Sequence, residues 1–180
     1  MEIRFLPGGE WEKYAGDILQ MLHDADDDFV PPLSARVSST QSDLTAAGKS
    51  ADGIRRYFAS LQTQKFMIAE EDGVLLGFVS FRENYENAQI GQNDLPNIYL
   101  STLIVKPEAR GRGLTKKMYR QLFDAYARRN VFTRTWSQNA AHIRILSSFG
   151  FQTLCTLKDD RGKGIDTVYF VKRPEKAPAL

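Results

Sequence analysis

The chain has 180 residues, with 24 lysines and arginines against 22 aspartates and glutamates, a formal net charge of +2. So even a balance excludes recruitment to DNA or to an anionic membrane by net charge alone, and 42% hydrophobic with 26% charged residues is the composition of an ordinary soluble globular domain. One cysteine, Cys155, excludes an internal disulfide framework. The N-terminus lacks the basic-then-apolar pattern of a signal peptide, and no apolar run reaches the ~20 residues that cross a bilayer, so a cytoplasmic protein with no membrane partner is expected.

Ile3 to Phe5 forms a short apolar stretch before Pro7-Gly8-Gly9, a strand and a turn. Trp11, Tyr14, Ala15, Ile18, Leu19 and Leu22 then recur at helical spacing. Asp24 to Ser34, with its acidic cluster and Pro31-Pro32, reads as a loop, and Ser38 to Ser50 is polar and weakly patterned. Ile54, Tyr57, Phe58 and Leu61 mark one face of a second helix. Residues 65–70 and 74–82 flank Glu71-Asp72-Gly73 as a β-hairpin, and 84–97 is a long connecting loop.

Ile98 to Lys106 is the best strand of the chain, followed by a turn rich in glycine and arginine. Leu114, Met118, Leu122 and Tyr126, with Tyr119 and Phe123 beside them, predict a strong helix. Val131 to Trp136 is a strand, and Ala141, Ile145, Leu146 and Phe149 give a short helix that Gly150 stops. Residues 152–157 and 167–172 are two last strands, joined by a loop containing Gly162 and Gly164. The order β, α, α, β, β, β, α, β, α, β, β predicts one mixed α/β domain over residues 1–172, parallel where a helix follows the central strand, with a frayed tail at 173–180.

The chemistry concentrates at Leu103 to Met118. An apolar strand leads through Gly111 and Gly113 into a helix whose first N–H groups lack partners and whose dipole is positive there. Arg110, Arg112, Lys116 and Lys117 add charge, and the whole suits an anion such as phosphate. The spacing fits neither the P-loop nor the dinucleotide fingerprint, which would place glycine at Lys116.

Val105-x-Pro107-x-x-Arg110-Gly111-Arg112-Gly113 resembles the signature of the GNAT superfamily of N-acetyltransferases, departing from it only at Thr115, where a small residue is usual. Asn139, a short helix and Gly150-Phe151 resemble that family's downstream segment. The resemblance spans about residues 65–172. It implies a single GNAT-like acyl-CoA N-acyltransferase domain, a central mixed sheet flanked by helices, that moves an acetyl group from acetyl-CoA to a primary amine by direct attack in a ternary complex. It implies that the backbone of Leu103, Ile104 and Val105 holds the pantetheine arm as a missing strand would. The N–H groups of Arg110, Gly111, Arg112, Gly113, Leu114 and Thr115 would hold the pyrophosphate, with Lys116 near it. Asn139 would contact or orient the pantetheine; by itself it reads as a helix N-cap. The acceptor implied is a small-molecule, peptide or protein amine, and a homodimer is compatible with the family.

Many family members carry an acidic residue where this chain has Ser101 and a tyrosine where it has Leu146. Deprotonating a lysine-like amine near pH 7 costs about 4–5 kcal/mol, from a pKa near 10.4, so a base is expected. Glu83, Tyr99 and Ser101 are the catalytic candidates, and Glu86 is a further substitute on or beside the adjacent strands; for Glu83, Glu86 and Tyr99 a solvated surface role is the favoured reading. The two departures keep a second reading open, a non-catalytic acyl-CoA-binding or sensing domain. The run Asp24, Asp26, Asp27 and Asp28 reads as a solvated loop or as a lure for a cationic amine, the loop being favoured. His142 reads as an exposed helix position. Cys155 reads as a small packed hydrophobe, and no Cys/His grouping has metal-ligand spacing, so no metal is expected. Arg128, Arg129 and Arg134 give a basic stretch, but no nucleic-acid motif accompanies it and no nucleic-acid partner is expected.

Overall fold

A computed structural model describes residues 1–44 and 48–174. Part of the polar 38–50 stretch and residues 175–180 of the expected tail lie outside the described residues. The strands are β1 (Glu2–Phe5), β2 (Lys65–Glu71), β3 (Val74–Glu83), β4 (Asn97–Val105), β5 (Asn130–Trp136), β6 (Gln152–Leu157) and β7 (Thr167–Lys172). The helices are α1 (Ala15–Asp24), α2 (Gly53–Leu61), α3 (Leu114–Ala125) and α4 (Ala140–Ser148). All eleven expected elements form in the expected order.

The periodicity that begins at Trp11 does not give one helix. Gly9, at φ 88°, opens a 3-10 turn over Glu10–Tyr14, and the α-helix starts only at Ala15. The turn places the Trp11 ring 6.4 Å from Phe66 and 6.0 Å from Phe58, so its aromatic burial overrides helical continuity. Two further 3-10 turns, Asp26–Asp28 and Leu33–Ala35, break the stretch expected as loop.

One seven-stranded sheet runs in the order β1-β2-β3-β4-β5-β7-β6. Only β4 and β5 are parallel; every other neighbouring pair is antiparallel. The helix α3 makes the crossover that a parallel pair requires. Each face of the sheet is apolar on alternate residues and is covered by helices. On one face Leu114, Met118, Leu122 and Phe123 of α3 and Leu146 of α4 pack on Met67, Val79, Phe81 and Leu100. On the other, Ile18 and Leu22 of α1 with Tyr57 and Leu61 of α2 pack on Phe66, Ile68, Phe78 and Ile104. The α4 helix ends as expected: Gly150 takes φ 78°, its N–H donates to Ser147 O at 3.0 Å, and the Phe151 N–H donates to Leu146 O at 3.2 Å.

Two irregularities in β4 shape everything that follows. Ser80 pairs with Thr102 but Phe81 with Leu100, so Ser101 is the extra residue of a bulge. Pairing with β5 runs only from Asn97–Asn130 to Leu100–Thr133, and beyond it the two strands part. The Leu33–Ala35 turn rests on the start of α2. A Cβ at Gly53 would lie 1.8 Å from Ser34 O. Gly53→Ala is therefore expected to cost about 1–3 kcal/mol as overpacking, lowering the melting temperature by roughly 2–4 °C per kcal/mol in thermal denaturation; an unchanged melt would contradict this packing.

Candidate functional site

Where β4 and β5 separate, the sheet opens into a cavity of about 390 Å3. Residues 100–105 of β4 form one wall, and Thr133 to Trp136 with Asn139, His142 and Ile145 form the other. The Lys106 N–H donates to Leu76 O at 2.9 Å, on the β3 side. By strand alternation the main-chain groups of Val105 and Leu103 turn the opposite way, into the gap, and Ile104 turns towards β3.

At one end of the cavity stand Arg110 and Thr115, where α3 begins. Gly111 and Gly113 take φ 76° and 73°. A Cβ on either would meet nothing within 4 Å, so the left-handed backbone, not lack of space, calls for glycine. No side chain caps α3. The first backbone bond recorded for its opening is from Lys117 N–H to Gly113 O at 3.1 Å. The N–H groups of Gly111, Arg112, Gly113, Leu114, Thr115 and Lys116 thus have no protein acceptor among the described residues. Arg110 differs from expectation, because its own N–H is already given to Pro107 O at 3.1 Å.

The side chains of the two motif arginines serve other ends. Arg110 donates to Asp28 Oδ2 at 2.6 Å and to Val105 O at 3.1 Å, while Arg112 grips both oxygens of Glu71 at 2.9 and 2.8 Å. The fixed positive charge left at the turn is that of the exposed Lys116 and Lys117 and of the helix terminus.

This architecture has counterparts. A family model described as the acetyltransferase (GNAT) family matches residues 22–151. The chain belongs to that family. Among solved structures, yncA of Salmonella typhimurium, determined with its cofactor acetyl-CoA, aligns with a TM-score of 0.65 at 20% identity, covering 100% of this chain and 97% of that one. The ribosomal-protein-alanine N-acetyltransferase of Brucella melitensis aligns at 0.67 and 20% identity, over 96% and 99% of the two chains. An N-acetyltransferase of Staphylococcus aureus Mu50 aligns at 0.64 and 17%, over 96% and 99%. No curated protein sequence matches. The protein is an acetyltransferase whose donor is acetyl-CoA, and the free amides at the turn, together with the unpaired edge of β4, are of the chemical kind that such a donor's diphosphate and amide-bearing arm require.

The acetyltransferase's catalytic candidates separate in space. Glu83 does not line the cavity: it holds Lys65 at 2.9 Å, accepts from the Tyr126 hydroxyl at 2.8 Å, and is kept below the usual carboxylate range chiefly by the Lys65 bond. Glu86 is exposed on the 84–97 segment. Tyr99 is buried beneath Tyr85, with ring centroids 4.5 Å apart, and burial pushes its phenol far up, so it stays protonated. Ser101 lines the cavity, with its hydroxyl 2.9 Å from Ser80 Oγ and donating to Gln64 Oε1, so no neighbour there acts as a base towards it. Asn139 is the N-cap of α4: its Oδ1 accepts from the His142 N–H at 3.2 Å and its Nδ2 donates to Thr135 Oγ1 at 3.0 Å.

Other expectations are corrected. The acidic run is not a free lure. Asp26 accepts from Ser34 N–H and hydroxyl at 2.7 and 2.8 Å, Lys49 pairs with Asp26 and Asp27, and Asp28 holds Arg110. Arg134 is not part of an exposed basic face; it lines the cavity. His142 is not an exposed helix position either. Its ring faces the cavity, Nε2 lies 2.8 Å from the Tyr119 hydroxyl, and burial pushes the imidazole down to about 4. Nothing in the local sequence announces that pair, since its members lie 23 positions apart on two helices. Cys155 is half-buried against the cluster of Tyr99, Phe132 and Tyr169. Among the described residues no group of His, Cys, Asp or Glu could hold a metal, and no helix is long and apolar enough to cross a membrane.

The histidine makes a pH prediction. Because its folded pKa lies below the ordinary 6.5, the unfolded chain binds the extra proton between pH 6.5 and 4. Its contribution to stability is complete above 6.5 and is lost as pH falls towards 4. Chemical denaturation across that window is expected to show stability falling in the wild type and a shallower slope in His142→Gln; equal slopes would show that the ring is not buried in neutral form.

Proposed function

We propose that the acetyltransferase moves acetyl from acetyl-CoA to a primary amine by direct attack in a ternary complex. One observation carries this reading: six successive N–H groups, from Gly111 to Lys116, have no acceptor among the described residues, beside a strand whose Leu103 and Val105 main-chain groups face an open gap. The diphosphate is taken by those amides, helped by the Thr115 hydroxyl and Lys116. The arm lies along Leu103 to Val105 as an additional strand, and Asn139, already committed as a cap, shapes the opposite wall. Neighbours of the same fold named as ribosomal-protein-alanine N-acetyltransferases support nitrogen as the acceptor atom.

Placing the amine against the thioester carbonyl supplies much of the rate, and main-chain donors in the gap can stabilise the charge that develops on the carbonyl oxygen. No free carboxylate lines the cavity among the described residues: Asp28 is the only one there and it is paired with Arg110. Cationic side chains at the far end of the cavity oppose a protonated amine, so the acceptor reacts in its neutral form without a dedicated carboxylate base. A thiol with a pKa near 8.5 leaves as thiolate without compulsory help and, with water, takes up the proton that the amine nitrogen sheds as the amide forms, which accommodates Leu146 where a tyrosine is usual. Tyr119, held protonated by burial and lining the cavity beside His142, is the hydroxyl offered to it.

The test is incubation with acetyl-CoA and a panel of amines while free thiol is measured, with the melting temperature followed in parallel. Thiol release that depends on an amine, and a raised melting temperature with CoA, are expected. A raised melting temperature with no turnover on any amine would favour the acyl-CoA-sensing alternative, and no shift at millimolar CoA would remove both.

A further inference from the structure

The cavity does not end in apolar wall. Arg36, Arg134 and Arg161 line its far end, with Arg36 and Arg161 only 6% and 7% exposed. They come from three separate places: the residue after the Leu33–Ala35 turn, the middle of β5, and the loop between β6 and β7. None of the three has a carboxylate within 4.0 Å among the described residues. Their hydrogen bonds go to uncharged oxygens. Arg36 donates to Pro31 O at 3.0 and 2.8 Å, Arg134 to Tyr169 Oη at 3.1 Å and Gln41 O at 2.6 Å, and Arg161 to Thr167 Oγ1 at 2.8 Å and to Val30 O. Arg161 Nη2 has no protein partner among the described residues.

Holding the surrounding loops in place needs donors but not charge, and an amide side chain could do it. Three guanidiniums sharing one desolvated end is an arrangement that protein groups compensate only in part: Asp160 reaches Arg161 through the Thr167 hydroxyl, which accepts from Arg161 Nε and donates to Asp160. Burial lowers the affinity of Arg36 and Arg161 for their protons, and the charge of Arg134 lowers it further at both, while Tyr57 beside Arg36 and Asp160 near Arg161 act the other way. The charge that remains calls for an anionic ligand. It is not the diphosphate of the donor: from Leu100, where β4 and β5 part, to Val105 the strand runs about 17 Å at ~3.3 Å per residue, and the free amides of the α3 turn lie beyond that. Phe29 and Trp136, their rings 6.1 Å apart, add an apolar wall beside the arginines.

We propose that the acceptor is a small amine that itself carries a carboxylate, an amino-acid-like molecule whose carboxylate docks on Arg36, Arg134 and Arg161 while its amine faces the thioester. This deepens the acetyltransferase reading and rests on it. Arginine suits a carboxylate because its planar fork gives paired N–H donors.

The test uses the intact chain, acetyl-CoA, and matched acceptors: the twenty amino acids and short ω-amino acids, their amides, the amines lacking the carboxylate, and aminophosphonates. At least one carboxylated amine is expected to be acetylated, and its amide to lose at least about 100-fold in kcat/KM, because a site built for a polar group strongly rejects its absence. Arg161→Gln is expected to raise KM for that acceptor at least about tenfold, with kcat less affected and the acetyl-CoA dissociation constant unchanged; that constant also reports that the variant is folded. Preference for aminophosphonates over carboxylates would assign the arginines to a phosphonate and overturn the carboxylate. Equal use of amides and uncharged amines, no turnover of any carboxylated amine, or an Arg161→Gln variant with an unaltered preference would overturn the inference. So would a preference for succinyl-CoA over acetyl-CoA with no acceptor preference, since the anion would then belong to the donor. Turnover confined to uncharged amines would leave the acetyltransferase reading standing, whereas failure of acetyl-CoA to bind would remove that reading itself.

Discussion

Main-chain polar groups taken out of water need partners, and a sheet normally provides them strand by strand. Here the two central strands pair over four residues and then part, while the helix that joins them starts without a cap. The unpaired edge of β4 and the uncapped start of α3 are successive pieces of one chain segment, so their main-chain groups line a single continuous path, with Val105 O alone already taken by Arg110. The rest of the fold maintains that opening. Helices on both faces keep the sheet rigid, β3 holds β4 from its other edge, and β7 holds β5, so neither strand can swing across to close the gap. The bulge at Ser101 lies next to the point of separation and changes the facing of the strand there.

Charge is distributed in the same economical way. The conspicuous cations of the turn, Arg110 and Arg112, are matched by Asp28 and Glu71, so they fasten the turn to neighbouring elements and leave anion recognition to the backbone. Besides the exposed Lys116 and Lys117, the cations without a direct carboxylate partner at the cavity are the inconspicuous ones buried at its far end. The cavity thus has an electropositive feature at each end, one made of amides and one of guanidiniums, with the unpaired strand between them. An acyl donor and an acidic acceptor entering from opposite ends would meet near the point where β4 leaves β5.

Local signals made the fold and the uncapped glycine turn legible in the sequence. Strand, glycine turn and helix are contiguous between Leu103 and Met118, Asn139 caps the helix immediately after it, and Gly150 closes the same helix, so each feature is set by residues within a few positions of one another. The arginine-lined end was not legible because residues 36, 134 and 161 meet only through tertiary structure. One signal was present. In β5, Arg134 alternates with Phe132 and Trp136 on one side of the strand, a side whose other members are buried or half-buried. The approach of His142 to Tyr119 likewise depends on how α4 packs against α3, and the withdrawal of Glu83 from the site depends on Lys65 and Tyr126, which no spacing rule links to it.

Amide hydrogen exchange over residues 111–117, compared with and without CoA, examines the central claim at the atoms concerned. Free main-chain donors at the start of α3 predict rapid exchange in the unliganded protein and strong protection when CoA is added, with protection extending to Leu103 and Val105 on β4. Slow exchange before CoA is added, or CoA binding that leaves these amides as fast as before, would contradict it.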